Sequence, residues 1–222
     1  MSTRRSPVRR FTLALCAACA LAASPLRAQD ATLPARLGAD AREAIVRLAD
    51  SLRVAGVPAE PLYAKAAEGV LKGADDARIV TAVRTLAREL TQARAALGTA
   101  APAGDVLAAA SALHAGVPAA AIRRLRDAGA GPLALPLVVL ADLAARGVPP
   151  AGAAGSIAEL LARGASDAEL NGYRAGVERD IASGRDARTA ADARLQATLL
   201  QLDRRGATRP RPSPSPLAPP LP

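Results

Sequence analysis

Apolar side chains recur at intervals of three and four residues from about residue 39 to residue 205, which is the spacing of amphipathic α-helices. In the first such segment Ile45, Leu48 and Leu52 follow Asp40, which we expect to cap the helix. No segment alternates apolar and polar positions with β-branched side chains, the pattern of a half-buried strand. The sequence therefore predicts an all-α fold.

Glycine, proline and short polar side chains divide this helical pattern. Gly-Val-Pro occurs at 56–58, 116–118 and 147–149, while Gly-Ala-Asp occurs at 73–75 and Gly-Ala-Ser at 164–166. Glycine ends a helix in the left-handed conformation, and Pro, Asp or Ser begins the next. The predicted turn and cap residues are Gly56, Pro58, Gly73, Asp75, Gly116, Pro118, Gly147, Pro149, Gly164 and Ser166. This punctuation indicates an array of short helices, with helical hairpins packed as an orthogonal bundle or a solenoid-like stack.

The helical pattern also defines the later helices. We expect a short helix over Asp105–Ala115, a core helix over Leu133–Leu143 and a last helix over about Ala187–Arg205. Pro136 and Asp142 interrupt the apolar run of the second of these, so we expect a core helix and not a membrane span.

The spacing of the turns suggests an internal duplication. Gly56 precedes Gly73 by 17 residues, Gly147 precedes Gly164 by the same interval, and the two pairs are offset by 91 residues. In that register residues 48–90 match residues 139–181. Glycine-terminated helices rich in alanine also produce such matches by chance, so both interpretations stay open.

Composition excludes several classes of function. Alanine supplies 58 of the 222 residues, and the aromatic side chains number three. Both cysteines and the only Phe lie within the first nineteen positions. If that stretch is removed, disulfides, thiol catalysis, cysteine-based metal sites and aromatic stacking on nucleic-acid bases are all excluded. We expect Tyr63 and Tyr173, the remaining aromatic residues, to fill the core.

The positive charge lies mostly at the two ends of the chain. The formal net charge is +9, but residues 29–203 carry 20 basic and 20 acidic side chains. A phosphate-binding face needs a local surplus of Lys and Arg, which these totals do not contain. We therefore expect no nucleic-acid partner.

Residues 1–28 have the organisation of a cleaved secretory signal peptide. Arginines precede an apolar run over Phe11–Ala23, and Ala28 is a small residue before the expected cleavage site. This predicts export to the periplasm or beyond, with residues 29–38 as an entry linker, residues 39–205 as the helical domain and no transmembrane helix after cleavage. A lipid anchor through Cys19 or Cys16 is the alternative, although neither cysteine has well-matched flanking residues.

The sequence offers little catalytic chemistry. Its single imidazole, His114, lies at the C-terminal end of a short predicted helix. A protonated imidazole there interacts favourably with the negative end of the helix dipole. We expect no catalytic, cofactor-binding or metal-binding residue and no cofactor. Two facing acids in a deep cleft would instead favour an enzyme or a small-ligand binder, and the candidates for such a pair are Glu68, Glu89, Glu159, Glu169 and Glu178.

Residues 206–222 contain seven prolines and no acidic side chain. This composition is typical of a disordered or polyproline II tail. Its arginines, together with those at the end of the last helix, are the candidate partner contacts: Arg204, Arg205, Arg209 and Arg211. They give a second alternative, peripheral binding to anionic lipid or cell-wall polymer.

One hypothesis fits four features of the sequence: the leader, the repeated turns, the balanced charge and the scarcity of catalytic side chains. We expect an exported, non-enzymatic α-helical scaffold or interaction module of a bacterial envelope. Its partner would be another envelope protein or a second copy of the chain.

Overall fold

The computed structural model describes residues 33–128 and 131–208, and within these ranges it is helical and contains no strand. The prediction of an all-α fold is confirmed. The helical unit begins at Leu33. Its helices are α1 (Ala39–Val54), α2 (Glu60–Leu71), α3 (Asp76–Leu97), α4 (Ala103–His114), α5 (Ala119–Ala128), α6 (Ala134–Ala145), α7 (Pro150–Ala162), α8 (Asp167–Ala182) and α9 (Ala187–Thr208).

Each Gly-Val-Pro triplet follows the end of a helix in the same way. Gly56 has φ of 65° and donates its N–H to the carbonyl of Arg53, while the Val57 N–H donates to the carbonyl of Leu52 at 2.9 Å. This pair of bonds is a Schellman motif, which satisfies carbonyls that the helix leaves open. The valine of each triplet is buried, so the turn is anchored in the core as well as by hydrogen bonds. The same bonds recur after α4, at Gly116, and after α6, at Gly147.

The Gly-Ala-Asp and Gly-Ala-Ser triplets join one helix to the next. Gly73 and Gly164 have φ of 72°. Asp75 caps α3 by accepting the Arg78 N–H at 2.8 Å. Ser166 forms a capping box with Glu169 at the start of α8. Each triplet thus ends one helix through its glycine and begins the next through its polar side chain.

The prolines of the Gly-Val-Pro triplets all precede helices. Pro149 is the N-cap residue of α7, Pro118 comes directly before α5, and Pro58 lies two residues before α2.

The structure corrects the predicted start of α1. Asp40 lies inside the first turn, and the N-cap residue is Gly38. Gly38 has no side chain to act as a cap, and its own N–H donates to the Asp76 carboxylate at 2.9 Å.

Other helix bounds also differ from the prediction. The core helix predicted over Leu133–Leu143 is present as α6, and Pro136 is its third residue, where no intrahelical donor is required. Asp142 stays within α6 and pairs with Arg174. The last helix continues to Thr208, past its predicted end at Arg205, and α4 runs from Ala103 to His114 instead of Asp105 to Ala115.

The odd-numbered helices pack in sequence, α1 on α3, α3 on α5, α5 on α7 and α7 on α9. Among the even-numbered helices, α4 packs on α6 and α6 on α8, while α2 packs on α3. Most helices therefore contact the helix two places away along the chain, while α2 packs on its direct neighbours α1 and α3 and α8 packs on both α6 and α9.

The core is built from small and medium-sized side chains. Helix α4 buries Ala109, Ala110 and Ala112 where it meets α3 and α6. Alanine at such contacts lets helix axes approach toward the near end of the usual range of about 8–10 Å. Tyr173 is the largest fully buried side chain, and burial raises the pKa of its phenol. Tyr63 is half-buried, and its hydroxyl accepts a hydrogen bond from Arg53.

Two buried carboxylates fix connections between helices. Asp180 on α8 accepts hydrogen bonds from Arg194 on α9 and from Arg185 in the intervening turn, and the Arg194 hydrogen bonds lower its pKa. Asp105 on α4 accepts the Leu133 N–H at 3.2 Å, which ties the start of α6 to the start of α4. Both acids therefore have structural partners.

Several sequence predictions fall outside the described residues. These are the signal peptide over residues 1–28, the first part of the entry linker over 29–32 and the tail from residue 209 onward.

Substitution of one turn glycine tests the assignment of helix ends. Gly147 has φ of 86° and open space where a Cβ would lie, so Gly147→Ala adds backbone strain without a clash. It should lower the free energy of unfolding by about 1–2 kcal/mol. Gly172 lies within α8 and also has open space, so Gly172→Ala should raise stability by about 0.5–1 kcal/mol. Urea unfolding measures the change in the free energy of unfolding for each variant. Changes of the same sign for the two variants would contradict the assignment of helix ends.

Candidate interaction surface

The acids that sequence analysis offered for catalysis are mostly bound to cations. Glu68 pairs with Lys72 and Lys65, whose hydrogen bonds lower its pKa to about 2. Glu178 lies 3.1 Å from Arg146. Glu159 is exposed on α7. These side chains lie at separate places on the helical body, in ordinary surface ion pairs or in solvent.

Glu89 and Glu169 also have specific partners. Glu89 Oε1 lies 3.0 Å from Nδ1 of His114, which ends α4. Ser166 hydrogen-bonds Glu169 and lowers its pKa, with a smaller contribution from Arg205. The Glu89–His114 pair is thus an acid and an imidazole on adjacent helices. Within residues 33–128 and 131–208, no group of three His, Cys, Asp or Glu side chains is placed to hold a metal ion.

The first of two adjacent grooves runs along the surface between α1 and α3. This α1–α3 groove has a volume of about 690 Å³. Leu48, Leu52 and Ala87 give it an apolar floor, since Leu52 and Ala87 are buried and Leu48 is half-buried. Exposed polar side chains surround that floor: Ser51, Thr81, Arg84, Arg88, Thr91 and Gln92. The groove therefore combines an apolar base with a hydroxyl- and guanidinium-bearing rim.

The second groove, between α3 and α5, has a volume of about 650 Å³. It shares Arg88 and Gln92 with the α1–α3 groove, so one ridge of α3 separates the two. Its far side carries Arg123 of α5, and Val117 and Pro118 of the preceding turn close one end. The two grooves form a continuous surface across three successive odd-numbered helices.

Three exposed arginines that line these grooves have no acidic side chain of the described residues within 4 Å: Arg84, Arg88 and Arg123. We call them the unpaired arginines. Arg88 donates only to the Thr85 hydroxyl, at 3.2 Å. Unpaired guanidinium groups attract anions, and their planar donors suit a carboxylate or phosphate.

Other arginines are used to bind backbone carbonyls at helix ends. Arg94, in the last turn of α3, donates to the carbonyl of Gly56 at 2.7 Å, just beyond α1. Arg126 near the end of α5 donates to the carbonyl of Ala96 at 2.6 Å. Arg205 near the end of α9 donates to the carbonyl of Gly164, just beyond α7. In each case an arginine from one odd-numbered helix binds the C-terminal end of the preceding one in its stack, so the two helices run parallel.

These contacts place two of the predicted partner arginines. Arg205 pairs with Glu169 at 2.8 Å in addition to its carbonyl contact, so its guanidinium is engaged within the fold. Arg204 is exposed on α9 and also has an interaction partner. Arg209 and Arg211 lie outside the described residues.

Sequence analysis missed the unpaired arginines because it compared total charges. The relevant pattern is local, since no acidic side chain lies three or four residues from Arg84 or Arg88, the spacing at which helical ion pairs form. Arg78 on the same helix has Asp75 at that spacing and is paired with it. A search for such helical partners would have singled out this part of α3.

None of the helices in the described ranges has the length and apolar character required to span a membrane.

Replacement of Arg94 tests the role of the carbonyl-binding arginines. Arg94→Met keeps the aliphatic stem but leaves the Gly56 and Ala101 carbonyls without their donor. Hydrogen bonds to a charged donor contribute more than neutral ones, so the free energy of unfolding should fall by about 2 kcal/mol. The control Arg78→Met removes an exposed pair and should change stability by less than about 1 kcal/mol. Thermal and urea unfolding compare the two variants, and equal losses would show that the carbonyl contacts add nothing.

Comparison with known proteins adds no functional assignment. The chain matches no protein-family model, and neither curated proteins nor solved structures give a match. The case for a function therefore depends on the grooves, the ion pairs and the unpaired arginines.

Proposed function

We propose that this protein is an exported, non-enzymatic interaction module of a bacterial envelope, and that it binds another envelope protein through the grooved face of α1, α3 and α5. One observation carries the proposal. The unpaired arginines surround two open grooves, while most of the candidate catalytic acids are bound to cations. Such a surface is suited to association with an acidic partner.

The alternative function, an enzyme or small-ligand binder, requires two facing acids in a deep cleft. Glu68, Glu169 and Glu178 each pair with Lys or Arg. Glu89 pairs with His114. Carboxylates held by Lys or Arg are poorly placed to exchange a proton with a substrate, so the pairing of Glu68, Glu169 and Glu178 favours the interaction module.

The packing supports a solenoid-like architecture for the module. The odd-numbered helices contact one another in order, and the arginine–carbonyl contacts at Gly56, Ala96 and Gly164 show that the paired members run parallel. A stack of parallel helices with a second layer behind it is the arrangement of helical repeat proteins. Such proteins bind partners along an extended face, which here would be the surface that carries the two grooves.

Burial in the 91-residue register supports the proposed duplication. Leu52 and Leu143 are both buried, as are Ile79 and Leu170. Two positions that sequence analysis did not use agree as well, since Leu62 and Ala153 are both fully buried and so are Ala66 and Ile157. On the third helix the agreement is limited to Ile79 and Leu170, because buried Val83 and Leu90 correspond to part-buried Arg174 and Ile181. Matched burial along the first two helices is what two copies of one helical unit would produce.

Export is proposed on the organisation of residues 1–28. These residues follow the order of a secretory signal peptide: basic residues, a short apolar run and a small residue before Gln29. Lipid attachment at Cys19 or Cys16 remains the alternative. Protein purified from the envelope should begin at Gln29, whereas a lipid-modified cysteine at the N-terminus would replace this part of the proposal.

The basic tail is proposed as a second contact or tether. Its contribution must come from residues after the last helix, since Arg205 is engaged with Glu169 and Gly164. The alternative, in which the tail binds anionic lipid or cell-wall polymer, predicts binding that falls steeply as salt concentration rises.

Site-specific photocrosslinking in intact envelopes tests the proposed face. A p-benzoylphenylalanine residue in place of Gln92 lies between the two grooves, and one in place of Gln196 lies on exposed α9 as a matched control. We expect a discrete crosslinked protein from position 92 and none from position 196. Arg84→Gln with Arg88→Gln should reduce the yield by about tenfold, because charges that pair at an interface contribute strongly to binding.

The same experiment separates the face from the tail. A chain that ends at Thr208 keeps Arg205 and all of α9, and it should retain the crosslink at position 92. Equal yields from the two positions, or no crosslink from either, would contradict the proposed binding face. Loss of the crosslink in the shortened chain would instead place recognition in residues 209–222.

A further inference from the structure

The length and shape of the α1–α3 groove indicate what kind of segment can occupy it. Its lining residues on α3 run from Thr81 to Gln92, a distance of about 17 Å or roughly three helical turns. The groove lies between two parallel helices, and its volume of about 690 Å³ is open along one side. A short helix laid along such a groove contacts both neighbours at once, as in helix-in-groove recognition.

The chemistry of the lining determines the composition of that segment. Leu48, Leu52 and Ala87 at the base require apolar side chains from the occupant, because a polar segment would leave the base without favourable contacts. The α3 side of the rim carries Arg84 and Arg88, one helical turn apart and without acidic partners among the described residues. Carboxylates one turn apart on the occupant would complement them.

Charge excludes the chain's own tail as the occupant. Residues 206–222 carry Arg209 and Arg211 and no acidic side chain, so the tail would bring further positive charge to the cationic rim. An anionic polymer such as a polyphosphate would complement the arginines but would supply no apolar side chains for Leu48 and Leu52. The occupant therefore comes from another molecule and is both acidic and apolar.

We infer that the α1–α3 groove binds an acidic amphipathic helix of a partner protein, about three turns long. Its apolar side chains pack on Leu48, Leu52 and Ala87, and its carboxylates pair with Arg84 and Arg88. This inference rests on the proposed function and specifies the partner's chemistry. Arg88 also borders the α3–α5 groove, so a partner with a second acidic segment can extend toward Arg123.

Selection from a displayed peptide library tests this inference on the full-length mature protein. The library holds helical peptides of fourteen residues with randomised exposed positions, and no natural partner is needed. Enriched peptides should carry Leu, Ile or Val on one face and Asp or Glu three or four residues apart beside it. A synthetic copy of the most enriched peptide should bind with saturation and shift the Arg84 and Arg88 guanidinium resonances in NMR spectra.

Two double variants of equal charge serve as test and control. Arg84→Gln with Arg88→Gln should weaken binding of the enriched peptide by about tenfold or more. Arg78→Gln with Arg188→Gln removes two exposed arginines outside the groove and should leave binding unchanged. Equal weakening by both variants would show a response to net charge alone and would overturn the inference.

Other outcomes would also overturn it. These are enrichment of basic or uncharged peptides, no enrichment above background, and displacement of the peptide by polyphosphate at equal monomer concentration. Resonance shifts confined to another face would exclude the groove. A crosslink from position 92 in envelopes together with any of these results would preserve the interaction module and reject only the acidic helix. Failure of both experiments would reject both proposals.

Discussion

The fold depends on how the open carbonyl groups at the C-terminal ends of its helices are satisfied. Short helices leave many carbonyl groups open relative to the number of buried residues. The buried alanines also add little apolar area to the core. Glycine turns at Gly56, Gly116 and Gly147 satisfy some of them with backbone N–H groups. Arg126 satisfies another at Ala96, and Arg94 binds the Gly56 carbonyl just beyond α1, so each arginine also ties the end of one odd-numbered helix to the next in the stack.

This demand sets the arginines that bind carbonyl groups apart from those that have neither a carbonyl nor an acidic partner. All but two of the chain's 29 basic side chains are arginine, whose fork of five N–H donors can reach several carbonyls at once. Arg94 uses this capacity at the end of α3, where it binds carbonyls of the following loop as well as that of Gly56. Arg84 and Arg88 lie two to three turns earlier on the same helix but point no donor at a carbonyl or an acid of the described residues. The face they occupy is therefore available for another molecule.

The sequence was informative where the physics is local. A glycine with positive φ ends a helix through hydrogen bonds to nearby residues, and Asp75 caps α3 by accepting the N–H of Arg78, three residues away. The all-α class and most helix ends could therefore be predicted from the residues themselves. Prediction was wrong at Asp40, because α1 begins one residue earlier, at Ala39, and Gly38 is the N-cap residue. The grooved face was missed for a different reason. Equal totals of charge conceal which arginines lack an acidic side chain at helical spacing, as Arg84 and Arg88 do.

The division of the arginines can be measured directly by timed phenylglyoxal labelling of the folded protein, with mass spectrometry to locate each modified residue. Arg84, Arg88 and Arg123 should react quickly, because they are exposed and have no acid or carbonyl partner among the described residues. Arg94 and Arg126, half-buried and hydrogen-bonded to helix ends, should react slowly until the protein is unfolded in urea. Equal rates for the two groups in the folded protein, or slow labelling of Arg84 and Arg88, would contradict the account of both the fold and its binding face.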